Sequence, residues 1–153
     1  MGERTPHLDP KSRAALVGLT AQHTRAHVIR AILEGVSFSL RDTFTIFSEL
    51  GVPVNSVRLG GGGARSSLWQ QIQADSYGMP VDLIAAEEGA AYGAALLAGV
   101  GAGVWQSVES ACKAAVRVAK RVEAIKPNVE LMNQRYKEYR KMYPALRGIG
   151  YRN

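Results

Sequence analysis

The chain has 153 residues, 46% of them hydrophobic and 21% charged, which suffices for one domain with a buried core and excludes a disordered chain. Its single cysteine, Cys112, excludes an internal disulfide and a cysteine-based zinc site and fits a reducing cytoplasm. The net charge of +6 favours anionic partners, while the lack of an apolar leader or a run of membrane-spanning length predicts a cytoplasmic protein with no membrane partner.

The first twenty or so residues read as loop, with Pro6, Asp9 and Pro10 supplying turn chemistry. From Thr24 to Leu50 the apolar residues Ile29, Leu33, Val36, Leu40, Phe44, Phe47 and Leu50 keep a three-to-four spacing, which predicts one long helix with that stripe facing a core. Gly51 and Pro53 end it. His23 and His27 stand four apart at its mouth without a nearby carboxylate, and His7 is remote, so surface or capping roles are expected and no metal site. Within the helix, Glu34 and Asp42 read as structurally paired rather than catalytic, and Ser37 and Ser39 have no paired base.

A short strand at Val57–Leu59 then runs into Gly60, Gly61, Gly62 and Gly63. The following segment, "SSLWQQIQADSYG", predicts a helix with Leu68, Trp69 and Ile72 on one side, Ser66 or Ser67 as N-cap, and Gly78 with Pro80 as stop. "VDLI" is a second short strand, and "EEGAAYGAALLAG" a helix with Glu87 and Glu88 serving its dipole. Small residues at Ala90, Ala91, Gly93, Ala94 and Ala95 would let another backbone pack closely. Two further helices are predicted, Val108 to Arg121 and Val129 to Tyr143, separated by a "KPN" break. Lys113, Arg117, Lys120 and Arg121 then form a solvated helix face, and Tyr136, Tyr139 and Tyr143 recur as core positions, so no nucleic-acid partner is expected.

Alternating strands and helices predict an α/β layer fold with short parallel strands. Two short strands cannot cover helices of this length and apolarity, so further strands are expected to be missing from the chain. The strand–glycine–helix order places backbone N–H groups on a surface free of Cβ atoms, with the positive end of a helix behind it, which suits a phosphate or nucleotide. Named fingerprints are incomplete: Ala64-Arg65 stand where a P-loop has its lysine, and "VDLIAAEE" lacks a well-placed acid for a dinucleotide site. Spacing alone leaves a ligand site and a merely tight connection both open. No residue pattern makes a nucleophile or general base, so no catalytic residue and no metal ligand is assigned in this chain.

The segment "GERTPHLDPKSRAALVGLTAQHTRAHVIRAILEGVSFSLRD" resembles the FGGY carbohydrate kinases, most closely their xylulokinase branch. Ala14, Leu16, Gly18-Leu19, His27-Val28 and Ala31-Ile32-Leu33-Glu34 follow one signature of that family. "LGGGGARSSLWQQI" resembles its adenosine motif, and "EEGAAYGAALLAGVGAG" the helix after it. The resemblance implies part of an actin-like, ribonuclease-H-like ATPase fold, residues 1–153 being the C-terminal portion of the second domain. It implies ATP and Mg2+ as cofactors and phosphoryl transfer to a sugar, D-xylulose giving xylulose 5-phosphate, with ribulose, gluconate or glycerol as alternatives. Gly61, Gly62 and Gly63 would bring backbone against the nucleotide, and Ser66 stands where some relatives have an asparagine touching the adenine. Gly60 replaces a serine common before the glycines, and Arg65 falls at the rim. The general base and phosphate-binding motifs belong to an N-terminal portion this chain lacks. The isolated chain is therefore expected to be inactive and to oligomerise through surfaces that should meet the missing sheet.

Overall fold

The computed structural model of the chain describes residues 2–85 and 89–149. In chain order these form α1 (Arg25–Glu49), β1 (Val57–Leu59), a 3-10 turn (Gly62–Arg65), α2 (Ser67–Tyr77), β2 (Val81–Ile84), α3 (Gly89–Gly101), α4 (Val108–Ala115), β3 (Val118–Val122) and α5 (Lys126–Leu146). The roles expected of Glu87 and Glu88 lie outside the described residues. No helix among those described is long and apolar enough to cross a membrane.

The sheet has order β1-β2-β3, with β1 and β2 parallel and β2 and β3 antiparallel. The third strand corrects the sequence reading twice: the expected helix Val108–Arg121 stops at Ala115, and the sheet is mixed rather than parallel. "VAKRV" begins and ends with β-branched Val118 and Val122, and β2 offers an edge for it, so pairing outweighs the helical spacing of its basic residues. Lys120 and Arg121 consequently sit on a strand, opposite Leu83 and Asp82, not on a helix face. The "KPN" stretch is the first turn of α5, where Pro127 loses nothing because the first helical N–H groups lack intrahelical partners.

Two apolar clusters meet on α2. Leu59, Val81 and Val122 of the sheet pack with Ala74, and on the other side Ile72 packs with Phe38 of α1 and with Met132 and Tyr136 of α5. Ile72, Ala74 and Val81 are each 1% exposed or less. Buried among them is Asp75, whose Oδ1 accepts from the Ile125 N–H (2.8 Å) and Gln71 Nε2 (2.8 Å), while Oδ2 accepts from Asn128 Nδ2 (2.8 Å). One carboxylate thereby caps the start of α5 from another helix.

α1 meets its neighbours with an unexpected face. Its inward residues are Glu34, Ser37, Phe38 and Asp42, while the predicted core stripe looks outward: Ile29, Val36 and Leu40 are 45%, 42% and 46% exposed, and Phe47 and Leu50 are also exposed. Only Leu33 and Phe44 of that stripe are half-buried, Phe44 edge-on to Tyr77. At 3.6 residues per turn the outward stripe lies nearly opposite the buried one, so this helix is adapted to contact on two sides. The inward polar groups are paired, as expected for Glu34 and Asp42. Arg135 Nη1 donates to both Glu34 oxygens (2.7 and 2.9 Å), Arg30 Nε to Oε1 (2.6 Å), and the Tyr136 hydroxyl donates to Asp42. Arg41 Nη2 donates to Asn133 Oδ1 (2.7 Å).

α3 packs on α4, where Leu96 and Ala111 are the buried residues, and the Tyr92 hydroxyl donates to Ala115 C=O (2.7 Å). Against expectation, Ala90, Ala91, Ala94 and Ala95 are exposed; the close approach is made by Gly99, where a Cβ would lie 2.4 Å from the Trp105 ring. The histidines cap and stack: His23 Nδ1 accepts from Thr20 N–H (3.0 Å), His27 Nδ1 from Thr24 N–H (3.1 Å), and His7 stacks on Tyr143 at 3.6 Å.

Replacing Asp75 with Ala strands three donors, and urea unfolding should show a loss of about 3 kcal/mol. Asp75→Asn should cost clearly less, because Asn128 can turn its amide to present oxygen. Burial pushes the hydroxyls of Tyr77, Tyr136 and Tyr139 above their ordinary range, reinforced at Tyr136 by its bond to Asp42. The folded state thus favours their neutral forms; that contribution is intact below about pH 10, the unfolded value, and disappears as pH climbs toward the folded values. In an alkaline titration, tyrosinate absorbance from these three should rise only together with loss of the helical circular dichroism.

Candidate functional site

The turn after β1 is built from residues that need not behave alike. Gly61 has φ +76, a left-handed value that favours glycine, and it turns the chain out of the sheet. The turn closes on itself through Ala64 N–H to Gly61 C=O (3.1 Å) and Ser66 N–H to Gly63 C=O (3.1 Å). Ser66 is the N-cap of α2, its Oγ accepting from Trp69 N–H (3.3 Å). That bond uses the oxygen's acceptor side and leaves the hydroxyl proton available for a ligand.

A Cβ placed on Gly60, Gly61 or Gly62 would meet none of the described residues within 4 Å, whereas on Gly63 it would fall 2.5 Å from the Trp69 ring. Gly63 is therefore small to admit an internal neighbour, and Trp69 is itself held by Nε1 donating to Ser37 Oγ on α1 (3.3 Å). The other three present bare main chain to open space at the start of a helix, where N–H groups lack intrahelical acceptors. The structure thus brings Gly61, Gly62, Gly63 and Ser66 into one turn but divides the glycines by function. Arg65 ends the 3-10 segment and is exposed.

Two participants escaped sequence reasoning. Gln70, buried on the first turn of α2, donates from Nε2 to Ala64 C=O (2.6 Å), and its Oε1 accepts from Lys120 Nζ (2.9 Å). Lys120 faces this way because residues two apart on a strand share a face, which puts it on the same side of the sheet as Val122; with the segment read as a helix, no sequence signal pointed to it. Among the described residues no three His, Cys, Asp or Glu side chains gather where a metal ion could be held.

A model of the FGGY family of carbohydrate kinases, C-terminal domain, matches residues 1–102. The chain belongs to the FGGY family of carbohydrate kinases. It is similar to the FGGY member xylulose kinase of Bacillus subtilis (strain 168), 43% identical over 93 residues, an alignment covering 61% of this chain and 19% of that protein. It is also similar to glycerol kinase of Bordetella parapertussis, 40% identical over 93 residues and covering 60% and 18%. The fold superposes on the solved xylulose kinase from Rhodospirillum rubrum with a TM-score of 0.80 at 30% identity, covering 94% of this chain and 29% of that one. This α/β unit accordingly has the actin-like ATPase architecture of the FGGY kinases, and α4, β3 and α5, beyond the residues matched by the family model, share in it. The matched residues span about a fifth of the length of these curated relatives.

Gly63→Ala should destabilise the chain by about 1–3 kcal/mol in chemical denaturation, since Trp69 must move from a packed site. Gly62→Ala, which meets open space, should change the midpoint little.

Proposed function

We propose that this chain is the C-terminal portion of an FGGY kinase's second domain and seats the adenosine end of ATP on Gly61 and Gly62, with Ser66 offering its hydroxyl to the base. One observation carries the proposal: consecutive glycines between a strand and a helix N-terminus face open space among the described residues, none of which requires their lack of side chains beyond Gly61's backbone angle. A nucleotide fits that cradle, because main chain can approach a flat base and ribose only where no Cβ intervenes. When bound, ATP supplies the phosphoryl group to be transferred. The residues here bind and orient it; Gly63 keeps the turn seated on Trp69, and Ser66 serves both the helix cap and the base. The described residues do not make a magnesium site, and no step is assigned to them through one.

The substrate supported best is D-xylulose, converted to xylulose 5-phosphate, from the similarity to xylulose kinases; the similarity to a glycerol kinase keeps other polyols as the alternative. Proton abstraction and phosphate binding belong to the remainder of the kinase. The outward apolar stripe of α1 supports this division: Ile29, Ile32, Val36 and Leu40 are what a larger second domain would cover. The same stripe supports a second reading for the chain by itself, a non-catalytic module that associates with its own copies. The free thiol of Cys112 suits the reducing cytoplasm in which such a kinase would work.

Co-expressed with the N-terminal portion of a xylulose kinase, the chain should support ADP release dependent on both ATP and D-xylulose, and alone it should release none. Gly62→Val in that reconstituted enzyme should raise the KM for ATP by about tenfold, equivalent to 1.4 kcal/mol, with an unchanged KM for sugar. Sugar phosphorylation by the isolated chain, or an unaltered KM for ATP in the variant, would refute the assignment. Light scattering of the isolated chain separates the second reading: dimers or larger species that dissociate on Val36→Lys support it.

A further inference from the structure

We infer that Gln70 is a positioning residue for the glycine turn and that Lys120, on a strand outside the family-model match, sets the orientation of its side-chain amide. The turn's exposed glycines have few restraints of their own, and Ala64, beside Gly63 on Trp69, is a residue through which the rest of the fold holds them. Its N–H closes on Gly61 C=O (3.1 Å), and its C=O receives the Gln70 Nε2 proton at 2.6 Å. Ala64 also packs against the sheet cluster of Leu59, Val81 and Val122, so its peptide cannot swing outward without leaving the core.

An amide can be turned over at almost no cost unless its surroundings tell oxygen from nitrogen. Here they do, because Lys120 Nζ stands 2.9 Å from Gln70 Oε1. A flipped amide would set NH2 against the ammonium and oxygen against the Ala64 carbonyl, two like-pole contacts in a site where Gln70 is only 5% exposed. The cation thus ensures that the end facing Ala64 is the donor. Lys120 reaches the position because it lies opposite Leu83 on the sheet face that α2 covers. The consequence for the proposed nucleotide site, on which this inference rests, is that affinity depends on a residue 50 positions from Gln70 along the chain and touching no part of the nucleotide.

Amide hydrogen exchange and ATP titration of the 153-residue chain test this together. In Lys120→Met the amides of Ala64 and Ser66 should exchange about threefold to tenfold faster, the factor expected for one hydrogen bond, while those of Ile72 and Val81 stay as they were. The Kd for ATP should weaken by a similar factor, Lys120→Arg should restore both, and Gln70→Met combined with Lys120→Met should be no worse than Gln70→Met alone. Unchanged exchange at Ala64 and Ser66 in both single variants overturns the clamp. Faster exchange with an unaltered Kd overturns its bearing on the ligand. A wild-type chain that binds no ATP would instead sink the nucleotide reading, and the exchange data would still decide the clamp.

Discussion

The burial of α2 on two sides is the constraint from which the rest follows. A helix of eleven residues has the sheet on one flank and the α1–α5 pair on the other, and its residues from Ile72 to Ser76 are all buried. Such an element cannot shift without opening both clusters at once, since close-packed interiors offer no slack of the size of a methyl group. Asp75 extends that rigidity to α5 by accepting the main-chain N–H at its start. The glycine turn is the direct continuation of this helix toward β1, so its position is inherited from an element packed on two sides.

That arrangement reconciles two opposed demands on the turn. Bare main chain must be exposed for a flat ligand to approach, yet exposed glycines lose more conformational entropy on ordering than any other residue. The structure meets the second demand from beneath. Trp69 fills the space under Gly63, Gln70 holds the Ala64 carbonyl, and Ser66 caps the helix that follows. Ligand access and structural support are thus divided among adjacent residues of one short segment.

α1 shows a comparable division on a larger scale. Its inward face carries Glu34 and Asp42, each held by a partner on α5 that offsets its desolvation, and Arg41 reaches Asn133 of the same helix through Nη2. Its outward face is apolar, an inversion of the usual pattern for a helix on the surface of a single domain. The FGGY relatives this chain resembles are about three times its length, and a helix placed between two packed layers has every reason to be apolar outward.

Local chemistry was legible wherever it determines structure within a few residues. Gly51 and Pro53 mark the end of α1, Ser66 the start of α2, Gly78 its left-handed stop, and the order strand, glycines, helix is readable directly. The paired states of Glu34 and Asp42 and the capping roles of His23 and His27 followed from the company those residues keep in sequence. Three things required the tertiary structure. Periodicity reveals that a helix has an apolar stripe but not which neighbour is present to cover it, so the direction of α1 came out reversed. A segment such as "VAKRV" is compatible with helix and strand alike until a free edge on β2 decides for the strand. Four consecutive glycines look equivalent in a string of letters; only the indole of Trp69 lying against one of them, and open space before the other three, separates packing from access.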